Sequence, residues 1–180
     1  QSPLAGEVAG ALCQMVGMER AAFCATGSEA VMAAIRLART VTGRDRIVVF
    51  NGAYHGIFDE VLVRPARAAG AASGESSASV GRAVPIAPGI PAAMADNIVV
   101  LEYGAPESLR AIEAMGTTVA AVLVEPVQSR RPDLQPLAFL QALRKLTSEA
   151  ESALIFDEVV TGFRCHPGGA QALFGIRADL

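Results

Sequence analysis

A chain of 180 residues is long enough for one domain with a real core, because a compact domain of this size buries roughly 70% of the surface its unfolded chain exposes. Fourteen arginines and one lysine against eighteen acidic residues leave a net charge of −3 with no long basic run, which argues against a dedicated nucleic-acid binder. A hydrophobic content of 52% with 5% aromatics excludes disorder, and no apolar stretch approaches the roughly 20 residues of a membrane-spanning helix.

From Pro3 to Gly17, apolar residues at Leu4, Val8, Leu12 and Met15 or Val16 recur at helical spacing, with Ser2 as cap and Pro3 in the first turn. Ala21-Ala22-Phe23-Cys24 reads as a short strand, and Glu29 to Thr42 as a second helix stopped by Gly43. Arg46 to Phe50 is a β-branched strand, and Val61 to Val63 another short one. Residues 64–97, rich in Ala, Gly, Ser and Pro, read as a long irregular loop. Strands at Ile98 to Leu101, Val119 to Val124 and Ala153 to Phe156 then alternate with helices at Pro106 to Met115 and Pro136 to Ala150. Continuous apolar strands between helices imply an α/β domain, a mostly parallel sheet with helices on both faces.

Gln1-Ser2-Pro3-Leu4 lacks the basic start and apolar core of a signal peptide, so a soluble cytoplasmic protein without membrane contact is expected. Cys13, Cys24 and Cys165 are odd in number and set in apolar sequence, which points to reduced thiols in or near the core. His55 and His166 have no metal-ligand spacing, and no metal is expected.

In a parallel sheet, ligands bind outside the carboxyl ends of the strands. Those ends carry Thr26-Gly27-Ser28, Tyr54-His55, Glu125 and Asp157-Glu158. Thr26-Gly27-Ser28-Glu29-Ala30 offers free helix-start amides and two hydroxyls, either as an anion site or as an ordinary helix cap. Tyr54-His55-Gly56 offers an aromatic face and an imidazole to a flat ligand, or simply packs a loop. Asp157, at the end of an apolar strand, is costly to bury without a partner. It either bridges to Arg164 or holds a ligand nitrogen in its protonated form. Glu125-Pro126 is open in the same way, with loop amides as the plain alternative. Neither a P-loop nor a dinucleotide fingerprint is present, which removes a nucleotide-dependent oxidoreductase of similar layering.

Thr26-Gly27-Ser28-Glu29-Ala30, Tyr54-His55-Gly56, Glu125-Pro126-Val127 and Ile155-Phe156-Asp157-Glu158-Val159-Val160-Thr161-Gly162-Phe163-Arg164, in that order, resemble the landmarks of the class III, fold-type I aminotransferases that use pyridoxal phosphate. Gly168-Gly169-Ala170-Gln171 and Pro88-Gly89-Ile90-Pro91 look like the glutamate-1-semialdehyde aminomutase branch. The segment from Glu125 to Pro136 looks closer to aminotransferase domains embedded in polyketide and nonribosomal peptide synthases.

The resemblance implies that Thr26, Gly27 and Ser28 cradle the phosphate of pyridoxal 5′-phosphate, that Tyr54 stacks on its ring with His55 in support, and that Val159 packs on the opposite face. It places Glu125 near the ring substituents and Asp157, the catalytic carboxylate, on the pyridine nitrogen. It further implies a small-molecule amino donor and a keto acceptor, which could be a β-ketoacyl chain on an acyl carrier protein, and a homodimeric parent. The family also needs a lysine that binds the cofactor covalently and shuttles a proton. Lys145 lies within a helix and does not match it. The resemblance therefore implies a partial large domain over 1–180, ending before that lysine and inactive alone. A non-catalytic module with this fold is the reading of another class.

Overall fold

The computed structural model describes residues 2–67 and 78–180. The chain opens with α1 (Pro3–Val16), capped by the Ser2 hydroxyl and closed by Gly17 in the left-handed conformation at φ 70°. The second helix, α2 (Gly27–Thr42), starts on a reciprocal cap. The Thr26 hydroxyl accepts from the Glu29 amide at 3.2 Å, and the Glu29 carboxylate accepts from the Thr26 amide at 2.9 Å. Next come β1 (Arg46–Phe50), a 3-10 turn at Asp59–Val61, β2 (Val63–Arg67) and β3 (Ala78–Pro85). After a second 3-10 turn at Ala92–Ala95 follow β4 (Ile98–Leu101), α3 (Pro106–Met115), β5 (Val119–Val124), α4 (Leu137–Glu149), β6 (Ala153–Phe156) and α5 (Gly169–Phe174).

The strands form one sheet in the order β2-β3-β4-β1-β5-β6. The four strands β4, β1, β5 and β6 are parallel, and the β2–β3 ribbon joins β4 antiparallel through Gly81 and Arg82. Alternation along the central strands divides the core in two. Val48, Phe50, Val122 and Val124 face Ile112 of α3 and Phe139, Leu140 and Leu143 of α4, while Ile47, Val49, Ala121 and Leu123 face Val31, Ile35 and Ala38 of α2. Both faces are therefore covered, which is why these strands read as unbroken apolar runs.

Several expectations need correction. Residues 64–97 are not one irregular loop, since β2 and β3 take up 64–67 and 78–85, and residues 68–77 lie outside the described residues. Pro65, Gly81 and Pro85 hid these strands, yet an edge ribbon tolerates such residues. The expected strand at 61–63 is instead the end of a 3-10 turn and the first residue of β2. Residues 21–24 pair with no strand among the described residues. Cys24 and Cys165 are exposed and only Cys13 is partly covered, because residue 24 sits in that unpaired segment and residue 165 in the loop before α5. No helix among the described residues is long and apolar enough to cross a membrane.

Tyr103, two residues beyond β4, ties the core to the carboxyl edge. Its ring packs edge-on against Phe50 and Phe139, with centroids 5.6 Å away in each case, and its hydroxyl donates to the Pro126 carbonyl at 2.7 Å. Burial, reinforced by the Glu125 charge, pushes the phenol well above its ordinary value of 10.0. The folded state thus holds this proton more tightly than the unfolded chain. Its contribution is full below pH 10.0 and is lost as pH rises beyond it. Tyr103→Phe should cost about 1–3 kcal/mol at neutral pH, because a buried carbonyl loses its donor. It should also flatten the fall in stability above pH 10.0, as denaturant titrations on either side of that pH would show.

Candidate active site

The parallel strands deliver the polar residues to one edge. β1 ends at Phe50 and is followed by Asn51 to Gly56, β5 by Glu125 and β6 by Asp157. The start of α2 joins the same edge.

At the centre of the edge, His55 and Asp157 form a buried pair, with Nδ1 2.7 Å from Oδ2. The residues are 4% and 9% exposed, so the pair is shielded from solvent. The other carboxylate oxygen, Oδ1, accepts from the Val159 amide at 3.2 Å. His55 Nε2 is buried and finds no partner among the described residues. Asp157 does not bridge to Arg164, whose Nε donates to the Val160 carbonyl and whose side chain is exposed.

Glu125 is 4% exposed, and its carboxylate accepts from the Tyr54 amide at 3.0 Å and the Ser129 amide at 3.2 Å. Loop amides therefore satisfy it, and it splints the residue 54 and residue 129 loops together. The Tyr54 ring is half exposed and Val159 is 70% exposed, leaving two apolar surfaces at the edge for a ligand to cover.

The start of α2 closes the arrangement. The Thr26 hydroxyl is committed to the cap, while the amides of Gly27 and Ser28 find no partner among the described residues. Ser28 Oγ accepts from the Ile57 amide at 3.2 Å. A Cβ placed on Gly27 would lie 3.1 Å from Val159 Cγ2, and one on Gly56 would lie 2.5 Å from Ser28 Oγ. The eight residues singled out from sequence thus form one connected ring: Tyr54 bonded to Glu125, His55 to Asp157, Asp157 to Val159, Val159 against Gly27, and Ser28 against the residue 56 turn.

Gln128 was not legible as part of this edge. It is fully buried, donates from Nε2 to the Asn51 carbonyl at 3.0 Å, and leaves Oε1 unpartnered among the described residues. The one signal for it in the sequence is a polar residue directly after the apolar Pro126-Val127 pair.

Residues 1–180 match the family described as aminotransferase class-III. The chain belongs to the class III aminotransferase family. A glutamate-1-semialdehyde 2,1-aminomutase 2 from Lysinibacillus sphaericus is 43% identical over 171 residues, a match that covers 94% of this chain and 37% of that protein. An omega-transaminase from Sphaerobacter thermophilus superposes with a TM-score of 0.85 at 35% identity, covering 99% of this chain and 40% of that one. A transaminase solved with PLP bound gives a TM-score of 0.83 at 32% identity, again covering 99% of this chain and 40% of that one. The class III chain described here therefore spans well under half the length of these relatives.

Proposed function

We propose that the protein serves in pyridoxal 5′-phosphate-dependent transfer of an amino group between a small-molecule donor amine and a keto acceptor. The observation that carries this reading is the buried His55–Asp157 pair, set at the carboxyl edge beside the free amides of α2. The residues fit the cofactor: an orphaned imidazole nitrogen, two helix-start amides and two exposed apolar side chains converge on one edge. Gly27 and Ser28 would hold the phosphate through amides aligned with the helix dipole, with Thr26 ordering the turn. Tyr54 and Val159 would cover the two ring faces, Glu125 would lie by the ring substituents, and Asp157 would hold the ring nitrogen protonated. When bound, the cofactor supplies an electron sink for the pair left at the amino-bearing carbon. The chain's own part is to orient the group, to shield it and to aim the Asp157 carboxylate. Lys145 takes no part, since it stands in the third turn of an α4 that runs back from this edge, is 75% exposed and faces Glu149 at 3.7 Å.

The test is titration with pyridoxal 5′-phosphate, followed by borohydride reduction and peptide mapping. Saturable binding that inorganic phosphate weakens, with Lys145 unlabelled, is the expected result. No saturable binding, or a label at Lys145 alone, would overturn the assignment in favour of a non-catalytic module.

Two acceptor classes follow. The name of the Lysinibacillus sphaericus relative supports an aminomutase-like reaction on a free small molecule. The Glu125 to Pro136 segment, which places Arg130 and Arg131 exposed just beyond β5, supports a β-ketoacyl chain on an acyl carrier protein. Turnover of the carrier-bound chain but not of the free keto acid would select the second. A second copy of the chain is the proposed cover for α1, which has no buried residue and exposes Leu4, Val8 and Met15.

A further inference from the structure

Glu158 lies between two residues of the site and faces away from it. Its Oε2 accepts from the Thr161 hydroxyl at 2.7 Å and from the Ala170 amide at 2.5 Å, and its Oε1 accepts from the Gln171 amide at 3.0 Å. Its carbonyl accepts from the Gly162 amide at 2.8 Å. One residue thereby gathers both ends of the segment that runs from Asp157 to the first turn of α5.

The packing around it leaves no slack. A Cβ on Gly169, at φ 74°, would fall 2.5 Å from the Glu158 carboxylate, and one on Gly162 would fall 2.7 Å from its carbonyl oxygen. Gly168 in turn approaches α1 so closely that a Cβ there would lie 2.7 Å from the Met15 carbonyl oxygen. The turn is therefore held between α1 and the Glu158 side chain. A carboxylate with both oxygens engaged by fixed donors has little freedom to rotate, and charge-assisted bonds are the strong ones. Because Asp157, Glu158 and Val159 are consecutive, anchoring Glu158 to the start of α5 restrains the backbone that carries Asp157 to His55 and Val159 to Gly27.

We infer that Glu158 is a positioning residue, a clamp behind the site whose three donors fix the aim of the Asp157 carboxylate and the Val159 side chain. Its relevance to catalysis rests on the function proposed above; the clamp itself does not. The competing outcome is that Glu158 caps α5 and nothing more.

The experiment is nuclear magnetic resonance of the 15N-labelled protein, comparing wild type with Glu158→Gln and Thr161→Val. The glutamine turns an NH2 group toward N–H donors, so amide exchange at Ala170 and Gln171 should rise at least tenfold. If Glu158 positions the site, exchange at the Val159 amide should rise with it, and the His55 ring nitrogen signals should shift. Thr161→Val, which removes one donor, should move the same signals in the same direction by less. Faster exchange at Ala170 and Gln171 with Val159 and His55 unmoved would overturn the inference, leaving a helix cap. So would no change anywhere. If Glu158→Gln does not fold, Thr161→Val decides by the same signals. A parallel titration with pyridoxal 5′-phosphate should show at least tenfold weaker binding in Glu158→Gln. Failure of the wild type to bind would overturn the proposed function and leave the resonance result standing.

Discussion

Replacing Asp157 with Asn is expected to cost the active enzyme about 10²–10³-fold in kcat, the range seen when one preorganised electrostatic partner is removed from a reacting centre. The substitution keeps the shape. An amide oxygen can still accept from the Val159 amide, now 3.2 Å from Oδ1, so the turn after β6 should stay in place. What disappears is the negative charge beside the proposed ring nitrogen. The His55 contact changes as well. With the carboxylate present, Nδ1 can donate across 2.7 Å; with an NH2 in that place, His55 must present Nδ1 as acceptor and carry its proton on the orphaned Nε2. The loss therefore couples a missing charge to a switched tautomer. Turnover and cofactor affinity measured together would separate the two: His55→Ala with Asp157 intact should lose less than Asp157→Asn. Wild-type turnover in Asp157→Asn would refute the role assigned to the carboxylate.

The sequence made some parts of this architecture legible and hid others for identifiable reasons. The strands β1, β4, β5 and β6 are apolar at nearly every position because both of their faces are covered, and that pattern is visible without coordinates. Pro3, Gly17 and Gly43 punctuate the helices at the positions their geometry demands. The ribbon of β2 and β3 was not visible, because Pro65, Gly81 and Pro85 argue against strands, and long-range pairing with β4 and packing of Ala83 into the core hold the ribbon in place. Ala21 to Cys24 shows the converse: an apolar run has the composition of a strand without having a partner. In the site, the rule that ligands gather at strand ends located Glu125 and Asp157. It could not say what each would touch. Arg164 was the natural partner for Asp157 because it is near in sequence, whereas His55, 102 residues away, is near in space. Gln128 was missed, and Glu158 was placed at the edge without a role, because their significance lies in what surrounds them. One is a buried amide with an unused oxygen, the other a carboxylate facing away from the edge it organises.

The strongest steric prediction concerns Gly56. At φ 109° it occupies backbone space that residues with a Cβ rarely enter, and a Cβ there would sit 2.5 Å from Ser28 Oγ and 2.9 Å from Ser28 Cα. The second distance matters more. Oγ can rotate away, but the Cα belongs to the first turn of α2, so the helix start itself must move. Gly56→Ala is therefore expected to add backbone strain of about 1–3 kcal/mol to an overpacking cost of about 1–3 kcal/mol, and to break the Ile57 amide to Ser28 Oγ bond, now 3.2 Å. The functional consequence follows from which atoms shift. The Gly27 and Ser28 amides are the ones assigned to the phosphate, so affinity for pyridoxal 5′-phosphate should fall along with the melting temperature. Gly89 provides the control, because it has a similar φ of 91° and a methyl group added there would meet nothing within 4 Å. Gly89→Ala carries the strain without the collision and should lose some stability while binding the cofactor like wild type. If both variants lower affinity equally, the close approach of Gly56 to α2 is not what shapes the phosphate site; if only Gly56→Ala does, the contact between that turn and the helix start sets where the anion can bind.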